Sequence, residues 1–154
     1  MSVHHATVSW THDGGDFSKR QYSRLHTITV GDGVTIEGSP SPTVVPAPYS
    51  SPDALDPEAA FVAALSACHM LWFLDLAAQA GFVVASYTDA AEGTLGRIAP
   101  RKMGMTRVVL RPAIIFADER RPSAAEIADL HHKAHEACFI ANSVTSEVSV
   151  EDPG

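Results

Sequence analysis

A chain of 154 residues with 45% hydrophobic residues has the size of one globular domain and enough apolar material to bury a core. Its 11 basic residues face 18 acidic ones, and the formal net charge of -7 argues against nucleic acid or an anionic membrane as partner, because both require a basic footprint. Two cysteines are too few for a disulfide scaffold, and such a pair is catalytic, metal-binding or inert. Residues Met1 to Trp10 show no basic segment followed by an apolar run, so no signal peptide is read there and a cytoplasmic protein is expected.

Ala6 to Trp10 and Leu25 to Val30 alternate or are rich in β-branched residues, with Gly14-Gly15 and Gly31-Asp32-Gly33 as punctuation. They predict antiparallel strands joined by hairpins. From Gly38 to Pro57 the prolines at 40, 42, 46, 48, 52 and 57 remove ladder donors and oppose helix, so an extended surface loop is expected. Asp56 then stands as an N-cap, with Pro57 at the first helical position and Glu58 beside the positive end of the dipole. Gly81 is expected to end this helix. Phe61, Val62, Leu65, Met70 to Leu74 and Leu76 cover nearly its whole circumference, the pattern of a central helix buried on most sides. The run Ala59 to Ala80 is long enough to suggest a membrane span, but Ser66, His69, Asp75 and Gln79 interrupt it.

Phe82 to Leu95 and Met105 to Phe116 read as two strands with a turn over Gly96 to Gly104. Ser123 with Glu126 forms a capping-box signature for a second helix carrying Ile127, Leu130, Ala134 and Ala137, which should end near Cys138. Val144 to Val150 alternates as an edge strand does. Strands, long helix, strands, helix and strand in that order define an α+β domain with helices against antiparallel sheet.

Chemistry concentrates at Cys68, in Ser66-Ala67-Cys68-His69, and at Cys138, in His135-Glu136-Ala137-Cys138. Either cysteine alone is as readily explained by core packing. His131, His135 and Cys138 have metal-ligand spacing; against this, His131, His132 and His135 lie off the apolar face of their helix, where solvation is the simpler reading. His69 projects about 100° around the helix from Cys68 and is expected to pack or hydrogen-bond rather than act as its base.

The words Asp56-Pro57-Glu58, Leu65-Ser66-Ala67-Cys68-His69-Met70 and Ala134-His135-Glu136-Ala137-Cys138, followed by Asn142-Ser143 and taken with Arg24 upstream, closely resemble the OsmC and organic hydroperoxide resistance family. The resemblance implies antiparallel sheets wrapped around a long central helix and a second helix, in an intertwined homodimer. It implies a thiol peroxidase for organic hydroperoxides with no cofactor and no resident metal. Cys68 would attack the peroxide, Cys138 would resolve it as a disulfide, and Arg24 with Glu58 would orient and activate the thiolate; Arg20 and Lys19 are neighbouring alternatives to Arg24. A dithiol, such as a lipoylated protein, would be the reductant.

An ordinary thiol is mostly protonated at neutral pH, and a nearby guanidinium favours the thiolate. A carboxylate can hold that guanidinium through a bidentate pair. Glu58 precedes Cys68 by ten positions, a rise of about 15 Å along a straight helix. Either the helix breaks or Glu58 serves the cysteine of another subunit, and the family resemblance favours the second. The chain departs from the hydroperoxide resistance branch where Cys138 is followed by Phe139 instead of proline, which leaves a non-catalytic ligand-binding or metal-binding member of the family as the alternative.

Overall fold

The computed structural model describes residues 1–31, 33–117 and 120–151. The chain divides into two compact units, Met1–Ala60 and Phe61–Gly154.

In the first unit, β1 (Ala6–Ser9), β2 (His26–Val30) and β3 (Val34–Gly38) form an antiparallel sheet in that order. Only the β2–β3 connection is a tight hairpin, with Gly31 at φ +56° and Gly33 at φ +129°, conformations that side chains other than glycine rarely adopt. Asp32 lies outside the described residues. The expected hairpin at Gly14-Gly15 is instead a long connection that folds on itself. Asp13 accepts the Ser23 and Gly15 N–H groups at 2.8 and 3.1 Å, and Trp10, Phe17 and Tyr22 cluster, the last two stacked at 4.5 Å. The register Ala6↔Val30 to Ser9↔Thr27 is therefore set by strand pairing and not by a turn.

The proline-rich stretch is irregular, as predicted, but tethered at both ends. Leu55 donates to Glu37 O at 3.0 Å and its carbonyl accepts Ser39 N–H at 3.1 Å. Buried Ser39 accepts Ser51 N–H at 2.8 Å and donates to Pro40 O. This return to β3 delivers Asp56 to its capping position, where Oδ1 accepts Ala59 N–H at 2.8 Å.

Helix α1 (Pro57–Gln79) is continuous. It ends as Gly81 predicted: Gly81 sits at φ +78°, Phe82 N–H bonds Ala77 O at 2.9 Å and Gly81 N–H bonds Ala78 O at 3.0 Å, which together satisfy the orphan carbonyls of the last turn. The expectation of burial on most sides does not hold. Only the stripe Leu65, His69, Phe73 and Ala77 is buried, while Leu71 is 62% exposed. Apolarity all round marks surface that must leave water, without saying that the same chain covers it. By length and composition α1 is long and apolar enough to cross a membrane, a test that core helices also pass.

The second unit continues with β4 (Val84–Asp89), β5 (Glu92–Ala99), β6 (Lys102–Leu110), β7 (Pro112–Phe116), α2 (Ala124–Ala137) and β8 (Glu147–Val150). The two strands expected between Phe82 and Phe116 are thus four, with β4 paired to β7 and β5 to β6, both antiparallel. Gly96 and Gly104 are not turn residues; they face each other in the β5–β6 ladder, and a Cβ on Gly96 would meet the Thr106 side chain at 2.9 Å. The reversal falls at Arg101, φ +59°. The capping box at Ser123 and Glu126 forms as read. β8 is an edge strand, but it joins β6 in parallel, Arg107↔Glu147 to Leu110↔Val150, because α2 intervenes and carries the chain back across the sheet.

Two apolar clusters fill this unit. Phe73 and Ala77 pack with Phe82, Phe116, Leu130 and Ala134, and Leu65 packs with Val108 and Leu110 beneath Val148 and Val150. They fix α1 through the turns that flank Cys68.

Candidate functional site

Both cysteines are free thiols, and the fold brings them together from positions seventy residues apart. Cys68 is half-buried on α1. Cys138 is 1% exposed and forms the C-cap of α2, its backbone extended at φ -68°, ψ 110°. Burial, reinforced by a hydrogen-bonding contact with Cys68, pushes the Cys138 thiol up to about 11, so this sulfur stays protonated at neutral pH. It also accepts Ala141 N–H at 3.4 Å.

Asn142 and Ser143 build the cradle around Cys138. Asn142 donates its backbone N–H to Cys138 O at 3.0 Å and its side-chain amide to Glu136 O at 2.9 Å. Ser143 Oγ donates to Phe139 O at 2.7 Å. The chain past Cys138 thereby satisfies the carbonyls that end α2 and holds the sulfur at the helix end. Trp72, one turn beyond Cys68, meets Phe139 edge-on at 5.5 Å.

Sequence reasoning assigned no role to Ser66. Its Oγ donates to Asp89 Oδ2 at 2.5 Å, and Asp89 Oδ1 accepts Arg111 N–H at 2.6 Å, tying the Cys68 turn of α1 to β4 and to the corner between β6 and β7. Arg111 pairs with Glu92 and Glu151, each at 3.2 Å. The available signal was a hydroxyl inside an otherwise apolar helix.

His69 is 1% exposed. Its Nε2 shares a hydrogen bond with His131 Nδ1 at 3.0 Å, the two rings lie 5.3 Å apart at 12°, and Phe73 packs on His131 at 4.5 Å. The hydrogen-bonding expectation for His69 holds, whereas the solvated reading of His131 does not. Burial first, and then the neighbouring His131 and His135, hold His69 down to about 4. The unfolded chain therefore takes up this proton first, and stability should be complete above about pH 6.5 and decline as pH falls toward 4, by at most about 3 kcal/mol. Urea unfolding of wild type and H69Q at pH 7 and pH 4.5 checks this; equal losses in the two proteins would refute it.

Arg24 and Glu58 lie in the first unit. The Arg24 guanidinium sits 4.2 Å over the Tyr22 ring and donates to the Tyr22 and Arg20 carbonyls at 3.1 and 3.4 Å. Glu58 is half-buried in the first turn of α1. Among the described residues no ion pair joins them. Arg20 occupies a turn at φ +61°, and Lys19 pairs with Asp16 at 3.1 Å. Since α1 is unbroken, a helix break does not carry Glu58 to Cys68.

The metal-ligand reading of His131, His135 and Cys138 is not supported: among the described residues no group of three such side chains is arranged to hold an ion. His131 and His135 instead line a cavity of about 640 Å³ between α2 and β7, with Pro112, Phe116, Ile127 and Glu151.

Two helices and mainly antiparallel sheet, with one thiol in a long apolar helix and a second at the end of the other, define a class of two-cysteine α+β proteins. The chain belongs to the OsmC-like family, whose model, described as OsmC-like protein, matches residues 50–151. An OsmC-like protein of unknown function from Vibrio cholerae is 49% identical over 99% of both chains, with a TM-score of 0.95. The organic hydroperoxide resistance protein of Elizabethkingia anophelis is 21% identical over 99% of this chain and 97% of its own, TM-score 0.73. That of Legionella pneumophila is 19% identical over 98% of each, TM-score 0.69. These two likenesses are of fold. No curated protein matches the chain.

Proposed function

We propose that the protein is a cysteine-based peroxidase that reduces organic hydroperoxides to alcohols and serves oxidative stress defence in the cytoplasm. The observation that carries this reading is that two free thiols lie near one another, with burial and then Cys68 pushing the Cys138 thiol up to about 11. The Cys68 thiolate attacks the terminal peroxide oxygen; the O–O bond breaks, an alkoxide leaves and takes up a proton as the alcohol, and Cys68 becomes a sulfenic acid. The Cys138 sulfur then displaces hydroxide from it, giving a disulfide and water. A dithiol, of the kind a lipoylated protein offers, returns both thiols by exchange.

The reading includes a homodimer in which Arg24 and Glu58 of one chain serve Cys68 of the partner subunit. The uncovered apolar side of α1 supports this, and among the described residues Arg24 makes no ion pair with a carboxylate. One equivalent of an alkyl hydroperoxide is expected to consume two thiols per chain in a thiol titration. Thiols that remain titratable after that treatment would overturn the proposal and favour a non-catalytic protein that uses the α2–β7 cavity for an apolar ligand.

A further inference from the structure

Cys68 and His69 are consecutive on α1, while His131 and Cys138 are seven positions, nearly two turns, apart on α2, and so share one face of that helix. Each residue of α1 faces its counterpart at α2: imidazole to imidazole at 3.0 Å, and thiol beside thiol, near enough that Cys68 helps to push the Cys138 thiol up. The two contacts differ in kind. His131 lies inside α2, clamped between His69 and Phe73. Cys138 is the C-cap, where the backbone has left the helix, and its sulfur, unbonded to Cys68, must still close to the roughly 2.05 Å of a disulfide bond.

We propose that His69 and His131 are positioning residues for disulfide formation: their hydrogen bond pins the rigid part of α2 to the Cys68 turn, so that Cys138 closes on Cys68 by local movement at the helix end alone. The idea rests on the reading of the cysteines as a reversible dithiol pair, but not on peroxide as the oxidant. Without the pin, α1 and α2 stay packed through Phe73, Ala77, Leu130 and Ala134, but the Cys68 turn and the end of α2 can shift against each other, and the effective concentration of one thiol at the other falls.

That quantity is measured directly by equilibrating the protein in glutathione redox buffers, where oxidised glutathione takes the two electrons and two protons of the thiols and leaves as two reduced glutathiones. H131F keeps a ring against Phe73 and removes the hydrogen bond; it is expected to lower the effective concentration about tenfold or more. H131N places an amide nitrogen near the position of Nδ1 and should recover to within about threefold of wild type. H69Q, with an amide near the position of Nε2, is the second rescue variant, and H69L is its hydrogen-bond-free control. A wild-type value in H131F and H69L, or losses in H131N and H69Q equal to theirs, overturns the proposal. A wild-type protein that ignores hydroperoxide yet shows this glutathione pattern would remove the peroxidase reading and leave the positioning role standing.

Discussion

Cys68→Ser is expected to abolish hydroperoxide turnover, because serine at this position offers no thiolate and its hydroxyl is far too basic to ionise at neutral pH. Cys138→Ser should behave differently: the first equivalent of hydroperoxide is still reduced, but the sulfenic acid has no partner and advances to the sulfinic form in excess peroxide. Initial rates and the intact mass of each variant report both outcomes, and full turnover by C68S would exclude this cysteine as the nucleophile. The proposed homodimer adds a sharper expectation. C68S and R24M should each be inactive, yet in mixed dimers the R24M chain supplies Cys68 and the C68S chain supplies Arg24, restoring one site of the two. Mixtures that stay inactive after subunit exchange would place Arg24 and Cys68 in the same chain's site or remove Arg24 from it.

Phe73→Ala is expected to destabilise the fold by about 3–5 kcal/mol, the range for deleting a fully buried aromatic side chain. Phe73 is 0% exposed and sits where α1, β4 and α2 meet, 5.7 Å from the Tyr87 ring and 4.5 Å from the His131 ring. A cavity there cannot close by moving one neighbour, because the ring contacts come from separate elements. Urea denaturation at neutral pH measures the loss. A change below about 1 kcal/mol would mean that the site collapses around the smaller residue, and that Phe73 does not organise the cluster.

The helices were legible because their boundaries are written in local chemistry: Asp56, Gly81 and the Ser123–Glu126 box each act within one turn. Strand number was not. The glycines at 96 and 104 look like turn residues and instead relieve crowding within a ladder, a fact that depends on Thr106 beside Gly96 and Ile98 beside Gly104, both on the neighbouring strand. The parallel partner of β8 was hidden for the same reason, since alternation marks the two faces of a strand and not its neighbour. Of the site, the cysteines and the words around them were visible, and so was a packing or hydrogen-bonding place for His69. Its bond to His131 was not, because it joins residues sixty-two positions apart. The solvated reading of His131 failed because a polar residue off the apolar stripe of one helix can still be claimed by a buried polar residue of another.

The parallel seating of β8 has a consequence for how the chain is made. Leu65, Val108 and Leu110 are covered by Val148 and Val150 of β8, so their cluster stays open until β8 has been made. The β4–β7 ladder and α2 can assemble before β8 leaves the ribosome, but β6 waits for its second neighbour. Removing β8 would leave β6 with an unpaired, strongly apolar strand edge, and the product to look for is aggregate.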